Sequence, residues 1–294
     1  MEREVVNPYG YYVWIEMKSG VVLMSEGGPE VTTLLYSSEF AGFAISCSSI
    51  TDAVVQGFTI GDTGCYVRSM SGYLDEGISI SSSGVLVEDN IVYSFRYGIA
   101  VYGVGEGPTK IRNCHISYCE EGIDCGNVPS NADLAIENNT ITNCNLGIWC
   151  YDAAPTITGN LITQSFITGI EFWKCSPALL TRNVLTENGH YGLVIVTDVF
   201  CEPYFAGTFL PADGNEINDN GDYDVYSGVD DPRSVTDLRM TYWGTLCPDP
   251  SKIVAHKGSI NYVPWTGPGC TGLYWECPGA AEPETWGSIK AMFR

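Results

Sequence analysis

Short runs in which apolar and polar residues alternate end at Gly or Asn, and the same arrangement returns along the middle of the chain. Aligned on a Gly followed by Ile or Leu, the runs are EGISI at 76–80, YGIAV at 97–101, EGIDC at 121–125, LGIWC at 146–150, TGIEF at 168–172 and YGLVI at 191–195. From Gly77 through Gly98, Gly122, Gly147 and Gly169 to Gly192 the steps are 21, 24, 25, 22 and 23 residues. A second register lies eight or nine residues ahead of each later Gly, in EDNIVYS, RNCHISY, ENNTITN, TGNLITQ and TRNVLTE. Asn90, Asn139, Asn160 and Asn183 share one slot there, with Cys114 standing in once. Val92, Ile116, Ile141, Ile162 and Leu185 share the slot two residues on. A fading copy continues with Asn215 and Ile217, and an upstream one, VVQGFTI, places Gly57 in the asparagine slot.

Period-two alternation between turn residues predicts strands, and no segment reads with helical period. A strand-built repeat of this length predicts a solenoid whose coils stack, with equivalent slots about 4.8 Å apart. Stacked Ile and Val then fill the bore. Stacked Asn suits an internal ladder, because a carboxamide donates and accepts. Each glycine marks the turn onto a wall strand. Both ends of such a coil expose apolar bore and strand edges, so they need caps. Residues 11–45 can supply the first coils, and Tyr242, Trp243, Ile253, Ile260, Tyr262 and Trp265 can close the other end. The insertion DVFCEPYFAGTFLPADG at 198–214 reads as a loop over the flank, either shaping a cleft or merely packing.

Composition narrows the partners. With 14 basic and 35 acidic residues the chain carries −21, which disfavours nucleic acid and anionic membrane surfaces. No cofactor motif is present, and the acidic charge leaves room for a bound cation such as Ca²⁺, though an acidic surface is more often just solvated. No apolar run approaches the roughly 20 residues of a membrane span. The start, MEREVVNPYG, lacks a cationic-then-apolar leader, yet 12 cysteines suit an oxidising compartment. The expectation is a secreted, periplasmic or cell-surface protein whose signal segment is absent from this chain.

The repeats IENNTITNCNLGI and PTITGNLITQSFITGI resemble the short parallel β-helix repeats of right-handed β-helix proteins, the pectin-lyase-like superfamily. MKSGVVLMSEGGPEVTTL resembles the first coil of exported bacterial members. TDLRMTYWGTLCPDPSKIVAHKGSINYVPW resembles their closing segment, with Thr241 where Asn is common. The resemblance covers roughly residues 11–265 and implies an all-β, single-stranded right-handed parallel β-helix with capping segments. The expected division is a β-helix with caps over 1–265 and a Pro/Gly-rich tail over 266–294, whose short end TWGSIKAMFR can form a helical turn or serve as an export or anchoring tag. The fold hosts lyases, hydrolases, epimerases, phage spikes and unassigned surface proteins, so it leaves function open.

Cysteine occupies the repeat twice over, in CEEGIDC at 119–125 and CNLGIWC at 144–150. A four-thiolate metal site draws its ligands from tighter pairs, so metal is disfavoured. Cys125 and Cys150 fall in the slot of Ile80, Val101, Phe172 and Ile195 and read as small inward apolar groups. Cys119 and Cys144 share a turn slot with Phe95, Ser165 and Asn188, one coil apart, within disulfide reach. They are the better candidates for a cross-rung disulfide. Cys270 and Cys277 can pair together or with Cys247, and Cys47 with Cys65.

The lateral wall is where members of the superfamily bind polysaccharide. Two residues past each Gly, Ser79, Ala100, Asp124, Trp149, Glu171 and Val194 point outward. Two further on come Tyr102, Tyr151 and Trp173, followed at the last two by Asp152 and Lys174. Tyr102, Trp149, Tyr151, Trp173 and Lys174 are the candidate ligand-binding residues, since flat rings stack on apolar pyranose faces. If the protein is an enzyme, Asp124, Glu171 and Asp152 are the candidate catalytic carboxylates. Asp124 and Glu171 lie two rungs apart, about 9.6 Å between Cα atoms, near the upper end of the inverting-glycosidase separation.

The motifs of pectate lyases and polygalacturonases are not matched. NGHYG around His190 and Asp230–Asp231 are the nearest echoes, out of order, and Arg96, Arg112 and Arg182 are scattered. Three classes of function survive. The first is an exported module binding a neutral glycan or a cell-surface protein; the second is a polysaccharide hydrolase or lyase on the same face. The third is a structural or metal-handling relative, for which Met and His are few. The first accounts for the most residues.

Overall fold

The computed structural model describes residues 5–6, 12–36, 42–62, 75–105, 107–129, 131–174, 179–196, 214–229, 235–238, 241–245, 247–257, 259–262, 265–267 and 271–274. Each coil passes through three strands, and equivalent strands of successive coils form sheets of 11, 8 and 7 strands. The 11-stranded wide sheet opens with Val5–Val6, antiparallel to Tyr12–Glu16. It continues in parallel through Gly42–Ser48, Asp75–Ser81, Tyr97–Tyr102, Glu121–Val128, Leu146–Ala153, Thr168–Trp173, Tyr191–Val196, Tyr223–Ser227 and Ile253–Ala255. Among the described residues, no helix is long and apolar enough to cross a membrane.

Register follows the repeat. Ile78, Ile99, Ile123, Ile148, Ile170 and Leu193 pair strand to strand and are fully buried. Val92, Ile116, Ile141, Ile162, Leu185 and Ile217 do the same in the 8-stranded sheet. Both rows belong to one continuous core. Removing such apolar surface from water is the main favourable term of folding.

The carboxamides link the coils inside this core. Asn139 Nδ2 donates to Asn160 Oδ1 at 3.0 Å, Asn160 to Asn183 at 2.9 Å and Asn183 to Asn215 at 3.1 Å. Asn90 Nδ2 donates to Val55 O at 2.9 Å. The slot begins one residue later than expected in the upstream copy. Val92 pairs with Ile60, so Asn90 stands over Phe58, whose N–H donates to its Oδ1 at 3.0 Å. Gly57 instead takes the left-handed position ahead of the slot, with φ +78°. Asp89, Asn113, Asn138, Gly159, Arg182 and Gly214 hold that position in later coils, also at positive φ. Gly, Asn and Asp tolerate it best.

The wall glycines answer to a different constraint. A Cβ at Gly122 would lie 2.6 Å from Gly147 O, and one at Gly147 would lie 2.4 Å from Gly169 O. Coils approach so closely there that only hydrogen fits, and a turn requirement is not the reason.

Cys119 and Cys144 are buried free thiols, so the expected cross-rung disulfide is not formed. Each thiol meets a carbonyl of its own coil instead, Ser117 O at 3.4 Å and Thr142 O at 3.6 Å. Burial first, and then the neighbouring Cys144 thiol, hold the Cys119 thiol well above its ordinary range. Cys125 and Cys150 pair in register and are buried, as expected of inward apolar groups. Cys47 is also free, which removes its pairing with Cys65, and Cys247 is disulfide-bonded.

At the far end Trp243 is buried and meets Tyr262 edge-on at 6.3 Å, while Ile253, Ile260 and Tyr262 pack on the core. Beyond it Trp265–Gly267 and Thr271–Tyr274 form an antiparallel pair, and the end TWGSIKAMFR, where a helical turn was one expectation, lies outside the described residues. Cys65, residues 198–213, Asp230–Asp231, Cys270 and the tail beyond Tyr274 lie outside the described residues.

Candidate functional site

The candidate residues gather on the outer face of the wide sheet. Ala100, Asp124, Trp149, Glu171 and Val194 pair in sequence along one row, and Tyr102, Gly126, Tyr151 and Trp173 along the next. All candidate ligand and acid residues of the sequence therefore share this face or its margin. Trp149 stacks on Tyr151 with ring centroids 5.8 Å apart and planes 20° from parallel. Lys174 reaches back one rung, its Nζ donating to Tyr151 Oη at 3.0 Å and lying 5.1 Å from the ring centroid. Trp173 is 37% exposed and donates its indole N–H to Glu171. Asp152 is exposed, at a left-handed position with φ 49°.

Pointing out of the bore does not mean facing water. Ala100, Asp124 and Val194 lie outside the continuous core yet are no more than 5% exposed. Asp124 accepts a hydrogen bond from the Tyr102 hydroxyl, across one rung. Gly126 makes room for that ring, since a Cβ there would stand 3.0 Å from Tyr102 Cδ1. Asp124 Oδ1 is buried without a hydrogen-bond partner. Asp124 and Glu171 therefore each engage their own neighbour, with Trp149 between them, and do not face one another across a gap.

Two further carboxyls belong to the cluster. Glu76, Tyr97 and Glu121 occupy the position before the wall glycine and pair in sequence. Burial raises Glu76 from 4.5 to about 8, with Asp124 adding repulsion and a Ser79 hydrogen bond opposing it. Burial likewise raises Glu121 to about 8, with Asp124 and Glu120 adding to it and Arg96 opposing. Asp124 is raised by burial to about 6, against the Tyr102 hydrogen bond and the Arg96 charge. Glu171 is also raised by burial, against hydrogen bonds that include the one from Trp173. Arg96 lies 5.0 Å from the Tyr97 ring centroid and 3.3 Å from Glu120. The letters Glu, Tyr, Glu are visible in EGISI, YGIAV and EGIDC, but they stand immediately ahead of the glycine, where the spacing predicts a turn and not a wall position.

Chemically, one end of the face offers stacked and exposed rings, and the other offers carboxyls that hold protons near neutral pH. Among the described residues no group of three or more His, Cys, Asp or Glu side chains is arranged to hold a metal ion.

No curated protein sequence matches the chain. Among solved structures, the periplasmic alginate epimerase AlgG superposes with a TM-score of 0.54 at 20% identity, over 68% of this chain and 47% of that one. The A-module of the mannuronan C-5 epimerase AlgE4 from Azotobacter vinelandii gives 0.51 at 12% identity, over 80% of this chain and 63% of that one. The chain thus spans less than two-thirds of either protein, and the likeness is one of fold. The family described as the right-handed β-helix region matches residues 35–185 and 76–229. With its three stacked sheets and buried asparagine slots, the chain belongs to the right-handed β-helix family.

Proposed function

We propose that the outer face of the wide sheet binds a polysaccharide outside the cytoplasm, with a neutral glycan favoured by the net charge of −21. The observation that carries this reading is the aromatic group of Trp149 stacked on Tyr151, with Trp173 in register and exposed beside Glu171 and Lys174. Rings of this kind cover the apolar face of a pyranose, while the adjacent carboxylate and ammonium take hydroxyls. Two structures of like fold are named as epimerases, one of them periplasmic and acting on alginate, which supports a glycan role and an exported location. A cell-surface protein as partner, or bound Ca²⁺, has less support in the described residues.

A second reading, a carbohydrate-active enzyme, is favoured by one observation. Glu76, Glu121 and Asp124 hold protons close to neutrality beside Tyr102, and perturbed groups clustered in this way mark sites of proton transfer. There Asp124, held by the hydrogen bond from Tyr102, would be one carboxyl of the pair, with Glu171 as the second.

The test is retention on immobilised glucans, mannans, xylan, galactan and alginate, with product analysis of the eluate. Binding to one of these that disappears in Trp149→Ala/Trp173→Ala, with thermal unfolding unchanged, is the expected result. Unaltered retention removes the glycan face. Turnover that disappears in Asp124→Asn selects the enzyme.

A further inference from the structure

Three coils toward the C-terminal end of the same sheet lies a second aromatic group. Tyr191 and Tyr223 pair in register and stack, with centroids 5.9 Å apart and planes 20° from parallel. Tyr226 fills the slot of Trp149 and Glu171, three and two coils further on respectively, and closes a triangle at 5.9 Å from Tyr191 and 6.0 Å from Tyr223. All three rings are half-buried on the outer side and lie outside the continuous core. Beside them His190 Nδ1 lies 2.7 Å from Asp222 Oδ2, with the side chains 54% and 56% exposed. The His190 ring centroid is 6.1 Å from that of Tyr191.

The backbone is built to hold this pair. A Cβ at Gly221 would lie 1.8 Å from Gly189 O, so the turns carrying His190 and Asp222 stack in direct contact. Lys252 Nζ secures the lower turn, donating to Asn220 O at 2.9 Å.

We infer that Tyr191, Tyr223 and Tyr226, with His190 and Asp222 at their edge, form a second sugar-contact platform for the same polysaccharide, which runs along the solenoid axis. The inference rests on the glycan-binding reading above. Trp149, Glu171, Val194 and Tyr226 share one row. Its ends are three rungs apart, about 14 Å at strand spacing, so a ligand crossing the rungs meets both platforms while a short one fits on either alone. Half-exposed tyrosines suit a sugar better than an apolar partner, because each ring stacks and each hydroxyl still seeks a polar contact. The imidazole and carboxylate beside them add hydroxyl partners, and two platforms on one ligand strengthen binding through effective concentration.

The experiment is affinity electrophoresis on the polymers named above, then titration with two-sugar and eight-sugar fragments of the polymer that retards the protein. Tyr223→Ala/Tyr226→Ala should lose roughly tenfold in affinity for the eight-sugar fragment and leave the two-sugar fragment unchanged at the tryptophan platform. His190→Ala/Asp222→Ala, both at exposed positions, should weaken the longer fragment in the same direction and serves if the tyrosine variant fails to fold. Unchanged affinity for the eight-sugar fragment in both variants overturns this inference and leaves the glycan face standing. A wild-type protein that none of the polymers retards overturns both.

Discussion

Tyr102 and Asp124 sit on neighbouring coils, and the phenol donates to the carboxyl while Asp124 Oδ1 is buried without a partner. The hydrogen bond is one of two influences that hold Asp124 down to about 6 against burial. Tyr102→Phe therefore raises the Asp124 value above about 6. A carboxyl-detected NMR titration reads this directly, and an unmoved or lowered value refutes the assignment.

Glu76 and Glu121 set a pH dependence of stability. Both are raised by burial from 4.5 to about 8, so between these values the folded chain holds protons that the unfolded chain releases. Stability then falls as pH rises from about 4.5 to about 8 and levels beyond it. The unfolding temperature of Glu76→Gln/Glu121→Gln should fall less steeply than that of the wild type across this window. Parallel curves would contradict the buried, protonated state.

Close approach of coils makes Gly147 irreplaceable. Its Cβ would meet Gly169 O at 2.4 Å and Ile162 Cγ2 at 2.4 Å. Gly147→Ala should cost roughly 1–3 kcal/mol, as overpacking does. Urea denaturation measures it, and a neutral outcome shows that the coils can part.

Asn183 ties its coil to both neighbours in the asparagine slot. Its Oδ1 accepts from the Asn160 N–H and Nδ2, and its Nδ2 donates to Ile157 O and Asn215 Oδ1. Asn183→Ala strands buried groups on both adjacent coils and should destabilise by roughly 2–4 kcal/mol in the same denaturation assay. Leu161→Ala, at an exposed strand position, is the comparison and should change little.

The coil was legible because a single slot repeats. Ile123 and Ile148 each answer to their neighbours above and below, so spacing alone places them. The face was legible as a list of outward residues but not as a surface. Trp149 and Trp173 lie where the spacing put them, whereas Asp124 is enclosed, because alternation reports direction from the bore and not what covers the wall. Glu76 and Glu121 escaped for a related reason: in a strand model the residue before a glycine is read as turn, yet here it is paired strand. The Tyr191, Tyr223 and Tyr226 group escaped because the repeat fades into GNEINDN and YDVYS after an insertion. The expected disulfide is not formed: Cys119 and Cys144 stack at the right spacing, but both stay thiols, bonded to their own carbonyls and neighbouring one another.

The most direct test of glycan binding is a crystal structure of the protein soaked with an eight-sugar fragment of the polymer it retains. The expected density places a pyranose ring flat against Trp149 or Trp173, within reach of Glu171 and Lys174. A fragment bound elsewhere, with these rings covered by another copy of the chain, would contradict the account.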